Sequence, residues 1–222
     1  VVPFHMWAPD VYEGSATPIT AYFTTIPKVG AIAFLIKFLN IPFEYFYNAW
    51  FQILYLVAII SLILGSIAAV NQNNIKRLLA YSSISHMGFI LIGILTANDL
   101  GVKSAQLYIS IYMVNILGIF TCLLCLKNKF NGIYLENIRS YSGLLKKDSF
   151  LSFSFAIFLF SLAGLPPLSG FFGKLYILIS AIESDLYLLA IIAVLTSIIS
   201  AFYYLKIIKV MFFDKPVNEI YV

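Results

Sequence analysis

Six apolar stretches, most of them long enough to cross a lipid bilayer, govern what this chain can become. They run over roughly 16–39, 49–70, 81–96, 105–126, 149–182 and 186–213, against the about 20 residues that a helix needs to span hydrocarbon. Only 11% of the 222 residues are charged and 61% are hydrophobic, with a mean hydropathy of +0.94. Too few charges remain to clothe a water-facing surface. In lipid every backbone amide must pair internally, which an open sheet does not achieve, and barrel strands are shorter and half polar. The expected fold is therefore all-α, a polytopic transmembrane helical bundle of about six spans.

The charges give this bundle a direction. One set of loops carries Lys76 and Arg77, then Lys127, Lys129, Arg139, Lys146 and Lys147 against Glu136 and Asp148. The alternate loops carry Glu44, Asp99 with Lys103, and Glu183 with Asp185. By the positive-inside rule the basic side is cytoplasm or mitochondrial matrix, and six spans return the tail at 214–222 to the side where the chain starts. Lys37, near the end of the first run, reads as a snorkelling anchor. Cys122 and Cys125 form a C-x-x-C inside an apolar run, where small packing residues are a simpler reading than a metal or redox site. No Gly-rich phosphate loop and no cluster of metal ligands is present, and no signal peptide is expected. Two Arg beside 20 Phe and 15 Tyr suggest an AT-rich, organellar genome.

An ionisable residue inside a span costs on the order of 2.5–3.5 kcal/mol at the helix centre on insertion scales, so each is a functional candidate. Lys28 lies near the middle of the first run. Thr17, Thr20, Thr24 and Lys28 share a helical face and suggest a polar stripe leading to the ammonium. Pro27 cannot donate to the Phe23 carbonyl and leaves an acceptor free. His86 follows Ser82, Ser83 and Ser85. An imidazole accepts a proton on one nitrogen while donating from the other, so Ser82 and Ser85 are expected to support a relay at His86; a merely satisfied buried histidine is the alternative.

Lys174 is the most informative. The fifth run is too long for one straight span, and its middle reads GLPPLSGFFGK over 164–174. Pro166 and Pro167 remove two donors, while Gly164, Gly170 and Gly173 permit a turn and close approach. A broken helix is expected, of the kind that lines a cavity or ion site in membranes. Lys174 is placed near the positive N-terminal end of the second half-helix. The opening segment from Pro3 to Pro18 is interrupted in the same way, and paired interrupted segments mark internal repeats in transporters.

The motifs PFHMWAPDVYEGSATPIT at 3–20, NNIKRLLAYSSISHMGF at 73–89, SLAGLPPLSGFFGKLY at 161–176 and FYYLKIIKVMFF at 202–213 span almost the whole chain. Together they resemble the antiporter-like proton-translocating subunits of respiratory complex I (NADH:ubiquinone oxidoreductase), in particular subunit 2, the bacterial subunit N, over its C-terminal portion. The resemblance implies two inverted five-helix repeats, each with a broken helix, and buried charges along the membrane midplane. On it, residues 1–15 end a broken helix of the first repeat, 16–48 hold that repeat's last helix, 49–213 form a second repeat and 214–222 a tail.

By position, Lys28 then resembles the lysine after the first broken helix, His86 the relay histidine, and Lys174 the lysine that exchanges protons with the far side. Family helices bearing a glutamate and another lysine would precede Pro3, and a last helix would follow Phe213. The resemblance therefore implies a separate chain supplying the first half, other membrane-arm subunits and the lipid bilayer as partners, and no nucleic acid. It implies no cofactor in this chain: NADH, FMN, iron–sulfur clusters and ubiquinone would be bound by other subunits. The expected location is the mitochondrial inner membrane, with the bacterial plasma membrane as alternative. A cation/proton antiporter-like module and a non-transporting scaffold remain open as rival readings.

Overall fold

Three α-helix starts among the described residues are fixed by side chains that satisfy free backbone amides. A computed structural model describes residues 1–128, 134–215 and 220–221, so Lys129 and the tail positions 216–219 and 222 lie outside the described residues. The helices are α1 (Trp7–Gly14), α2 (Thr17–Asn40), α3 (Tyr47–Val70), α4 (Ile75–Leu95), α5 (Asp99–Cys125), the short α6 (Leu144–Lys147), α7 (Ser149–Ala163), α8 (Ser169–Glu183) and α9 (Tyr187–Phe213). Asn74 accepts from the amides of Lys76 and Arg77 at the head of α4, Asn98 from Gly101 at α5, and Asp148 from Leu151 at α7. Each removes a donor that lipid would leave unpaired.

Five of these helices are long and apolar enough to cross a membrane: α2, α3 with its preceding turn, α4, α5 and α9. The fifth apolar run is split, as expected, into α7 and α8. Strand pairing among the described residues is confined to two-residue pieces, Lys127–Asn128 against Ile220–Tyr221, and to isolated bridges at Asn74–Asn137 and Lys127–Tyr134.

Two helix starts differ from the apolar runs. Helix α4 begins at Ile75 rather than near 81, and α5 at Asp99 rather than 105. The reason in α4 is that its charges are neutralised by partners distant in sequence. Lys76 Nζ lies 2.6 Å from Glu136 and 3.0 Å from the Ser15 carbonyl, while Arg77 pairs with Glu13 at 2.9 Å and Asp10 at 3.2 Å. Asn74 also donates to both Glu13 and Glu136. This network ties the end of α1, the head of α4 and the loop before α6 together on the basic side.

Helix α4 is the hub, buried along nearly its whole length. Around it stand α3, α5, α8 and α1, while α2 leans on α5, and α7 and α9 close the ring. The outward faces present Ile53, Leu56, Val114, Phe150, Ile198 and Phe202 to the surroundings, which in a bilayer is lipid. A set of polar side chains points inward instead, among them Ser82, His86, Asn115 and Lys174.

Candidate proton-transfer site

Several of the inward polar residues gather around His86, which is 3% exposed. Both ring nitrogens are engaged: Nδ1 lies 2.7 Å from the Tyr108 hydroxyl and Nε2 3.0 Å from that of Tyr204. The ring also packs against Tyr112 at 5.2 Å between centroids. Tyr112 in turn accepts a 3.1 Å hydrogen bond from Lys28 Nζ. Lys28 is the twelfth of the 24 residues of α2, at mid-span, and its ammonium sits 5.5 Å and 5.3 Å from the ring centroids of Tyr12 and Tyr112. Aromatic faces of this kind stabilise a cation where water is scarce.

Across the cluster, α7 ends in a Schellman turn. Gly164 adopts φ +82°, its amide reaches the Ser161 carbonyl, and the Leu165 amide reaches Phe160, the pairing that closes a helix on a left-handed residue. That turn leaves the Ala163 carbonyl without a helical partner, and Lys174 Nζ donates to it at 2.9 Å. The Lys174 side chain lies directly against Gly164, where even a Cβ would stand 2.8 Å from its Cδ. Its ammonium is 5.4 Å from the Phe89 ring, which stacks with Tyr108. Pro166 and Pro167 are exposed in the break, and Gly173 is buried where an added Cβ would stand 2.8 Å from Tyr108 Cδ2.

Lys28, His86 and Lys174 thus converge on one tyrosine-lined interior, whereas three expectations are corrected. Lys174 belongs to the first turns of α8, but its ammonium meets the C-terminal carbonyl end of α7, the negative end of a half-helix. The threonine stripe does not reach Lys28: Thr24 donates to the Ala21 carbonyl at 2.7 Å, and Thr20 bonds to Ser15 and the Tyr12 carbonyl. His86 takes its direct partners from tyrosines on α5 and α9, and Ser82, besides donating to the Leu79 carbonyl at 2.8 Å, is hydrogen-bonded to the Tyr204 hydroxyl, so it supports His86 through that tyrosine rather than by contact. Pro27 is accommodated inside α2 without ending it. Cys122 is buried and Cys125 exposed, three residues apart on α5, and both are free thiols.

The residues that sequence reasoning missed are Tyr12, Tyr108, Tyr112, Tyr204 and Phe89. A usable signal existed in α5, where Tyr108, Tyr112 and Asn115 recur at helical spacing on one face.

A family model described as NADH:quinone oxidoreductase/Mrp antiporter, transmembrane, matches residues 1–200. The chain belongs to this family. The NADH-quinone oxidoreductase subunit N of Pelagibacter ubique is 54% identical over 214 residues, covering 96% of this chain and 45% of that protein. Subunit N 1 of Rhizobium meliloti is 49% identical over 218 residues, covering 98% and 45%. Among solved structures, a chain of respiratory complex I from Thermus thermophilus superposes with a TM-score of 0.83 at 32% identity, covering 98% of this chain and 47% of that one. A chain of the Mrp complex from Dietzia sp. DQ12-45-1b gives a TM-score of 0.88 at 25% identity, covering 98% and 40%. The chain spans less than half the length of the relatives it matches, and the relatives named are bacterial. It is a multi-pass membrane protein with the antiporter-like fold.

Proposed function

We propose that the chain is the C-terminal part of a membrane-arm subunit of proton-pumping NADH:quinone oxidoreductase, and that Lys28, His86 and Lys174 pass protons along the membrane midplane. The observation that carries this reading is the sequence Lys28–Tyr112–His86–Tyr108, half-buried at Lys28 and buried beyond it, with Lys174 held at the break that Tyr108 abuts. A neutral imidazole with a hydroxyl on each nitrogen can take a proton on one side and release another on the other. Lysines with no carboxylate beside them exchange a proton at the lowest cost in trapped charge when a neighbouring charge arrives or leaves. Redox energy then comes from quinone reduction elsewhere in the complex, where NADH, FMN, iron–sulfur clusters and ubiquinone are bound.

On this reading residues 1–15 end a broken helix of a first repeat, 16–48 hold its last helix, and 49–213 form the second repeat. The entry half of the path, including a glutamate and a further lysine, comes from a first half that a separate chain or an upstream segment supplies. The membrane is the mitochondrial inner membrane or the bacterial plasma membrane. The scarcity of Arg supports the first, and the bacterial relatives support the second.

The test is Lys174→Ala in the assembled complex, reconstituted into vesicles. NADH-driven proton uptake is expected to fall at least about tenfold, below the usual cost of removing a positioned proton-transfer group, with assembly intact. Unchanged pumping sinks the role. The likeness to the Mrp chain supports one second reading, a cation/proton antiporter-like module, which a sodium dependence of transport would reveal.

A further inference from the structure

We propose that Asn115 holds one water molecule between the His86–Tyr108 pair and the α7/α8 break, as a positioning residue of the proton path; this rests on the function proposed above. Asn115 lies on α5, three residues after Tyr112 and seven after Tyr108, and therefore on their face of the helix. The residue is 4% exposed, yet its Nδ2 has no hydrogen-bond partner among the described residues. Buried amide donors are almost always partnered by protein or ordered water.

A partner has room there. Asn115 borders a small internal cavity with about 10 Å³ open to a water-sized sphere, shared with His86, Tyr108, Tyr112, Ser161 and Gly170. That is the lower limit for one water, which also needs two to four polar partners. Tyr108 always has capacity to be one of them. If its hydroxyl donates to His86 Nδ1, its lone pairs are free; if it accepts from Nδ1–H, its own proton is free. On the opposite wall Ser161 Oγ receives the Gly170 amide at 3.1 Å and lies 3.2 Å from Ser169 Oγ. Gly170 stands one helical turn before Lys174.

The water thus closes the gap that direct contacts leave between the imidazole and the break. A proton leaving imidazolium Nδ1–H protonates the Tyr108 oxygen as the phenol releases its own proton to the water. The water passes one of its protons along the hydroxyls at Ser161 and Ser169, each giving up its own proton as it takes one, to an unprotonated Lys174 amine, which ends as the ammonium held at the Ala163 carbonyl. Histidine, tyrosine and water each end neutral, and one proton has moved from α4 to the break. Asn115 takes up no proton; its amide fixes the orientation of the water.

The experiment uses the whole complex. A cryo-EM map that resolves other interior waters is expected to show density about 3 Å from Asn115 Nδ2. Asn115→Leu fills the cavity with apolar atoms and is expected to lower NADH-driven proton flux about tenfold, the factor equivalent to about 1.4 kcal/mol in the barrier. A map with other waters but none at this site overturns the proposal, whether or not the leucine variant assembles. So does wild-type flux in Asn115→Leu. If Lys174→Ala abolishes pumping while Asn115→Leu does not, only this inference fails. If neither variant affects pumping, the proposed function fails with it.

Discussion

Gly170→Ala should open the α7/α8 break. A Cβ added at Gly170 would stand 1.7 Å from the Ser161 carbonyl oxygen and 2.6 Å from its carbon, where ordinary contact begins at 3.4 Å. Both atoms belong to backbone, so no rotamer change relieves the clash, and the half-helices must part by roughly 1.3–1.7 Å. A shift of that size stretches the 3.1 Å bond from the Gly170 amide to Ser161 and the 2.9 Å bond from Lys174 to Ala163 beyond hydrogen-bond range. Overpacking costs about 1–3 kcal/mol and the neutral hydrogen bond about 0.5–1.5 kcal/mol, against a helix-propensity gain for alanine of up to about 1 kcal/mol. The local loss comes to about 3 kcal/mol once the strained lysine contact is included. Gly30→Ala is the control, because nothing lies within 4 Å of its added methyl. Amide exchange across residues 161–174 should quicken about a hundredfold in Gly170→Ala, and proton pumping by the reconstituted complex should fall by at least about tenfold, given how steeply transfer depends on placement. If Gly170→Ala exchanges and pumps like Gly30→Ala, the packing reasoning is wrong.

Two further outcomes follow from the same geometry. Lys76→Met removes a pair whose lysine is 5% and whose glutamate is 36% exposed. The complex should lose about 1–3 kcal/mol, less than the 3–5 of a fully buried pair because water reaches Glu136. A cycle with Glu136→Gln measured by denaturation should show coupling, and strict additivity within about 0.3–0.5 kcal/mol would refute the pairing. Tyr108→Phe keeps the ring against Phe89 and Gly173 but strips the hydroxyl from His86 Nδ1. Pumping should drop about tenfold, as for a lost proton-transfer partner, with the complex assembled to wild-type level; wild-type pumping would remove Tyr108 from the path.

The sequence made the broken helix legible because each of its parts is a local signal. Gly164 supplies the left-handed cap, the two prolines forbid helix, and the run length demands an interruption. What Lys174 touches was not legible, since the Ala163 carbonyl becomes available only once the Schellman turn has closed α7. The threonine stripe failed for a different reason. Hydroxyls in an apolar helix satisfy themselves on carbonyls three or four residues back, as Thr24 and Ser82 do, so a shared face of hydroxyls is weak evidence of a conduit. The tyrosines were overlooked because aromatic residues are common throughout this chain, and only the spacing in α5 distinguishes Tyr108 and Tyr112. The early start of α4 depended on acids some 60 residues away, a distance over which pattern carries no information.

The charge network at the head of α4 also has a history in time. Lys76 leaves the ribosome 60 residues ahead of Glu136, a lag of roughly 3–12 seconds at about 5–20 residues per second. During those seconds its ammonium is without that carboxylate and can hold its end of the nascent helix on the basic side of the membrane. When Glu136 arrives, the same ammonium closes on it at 2.6 Å and becomes a fastener between segments. A single lysine thus serves insertion first and architecture afterwards.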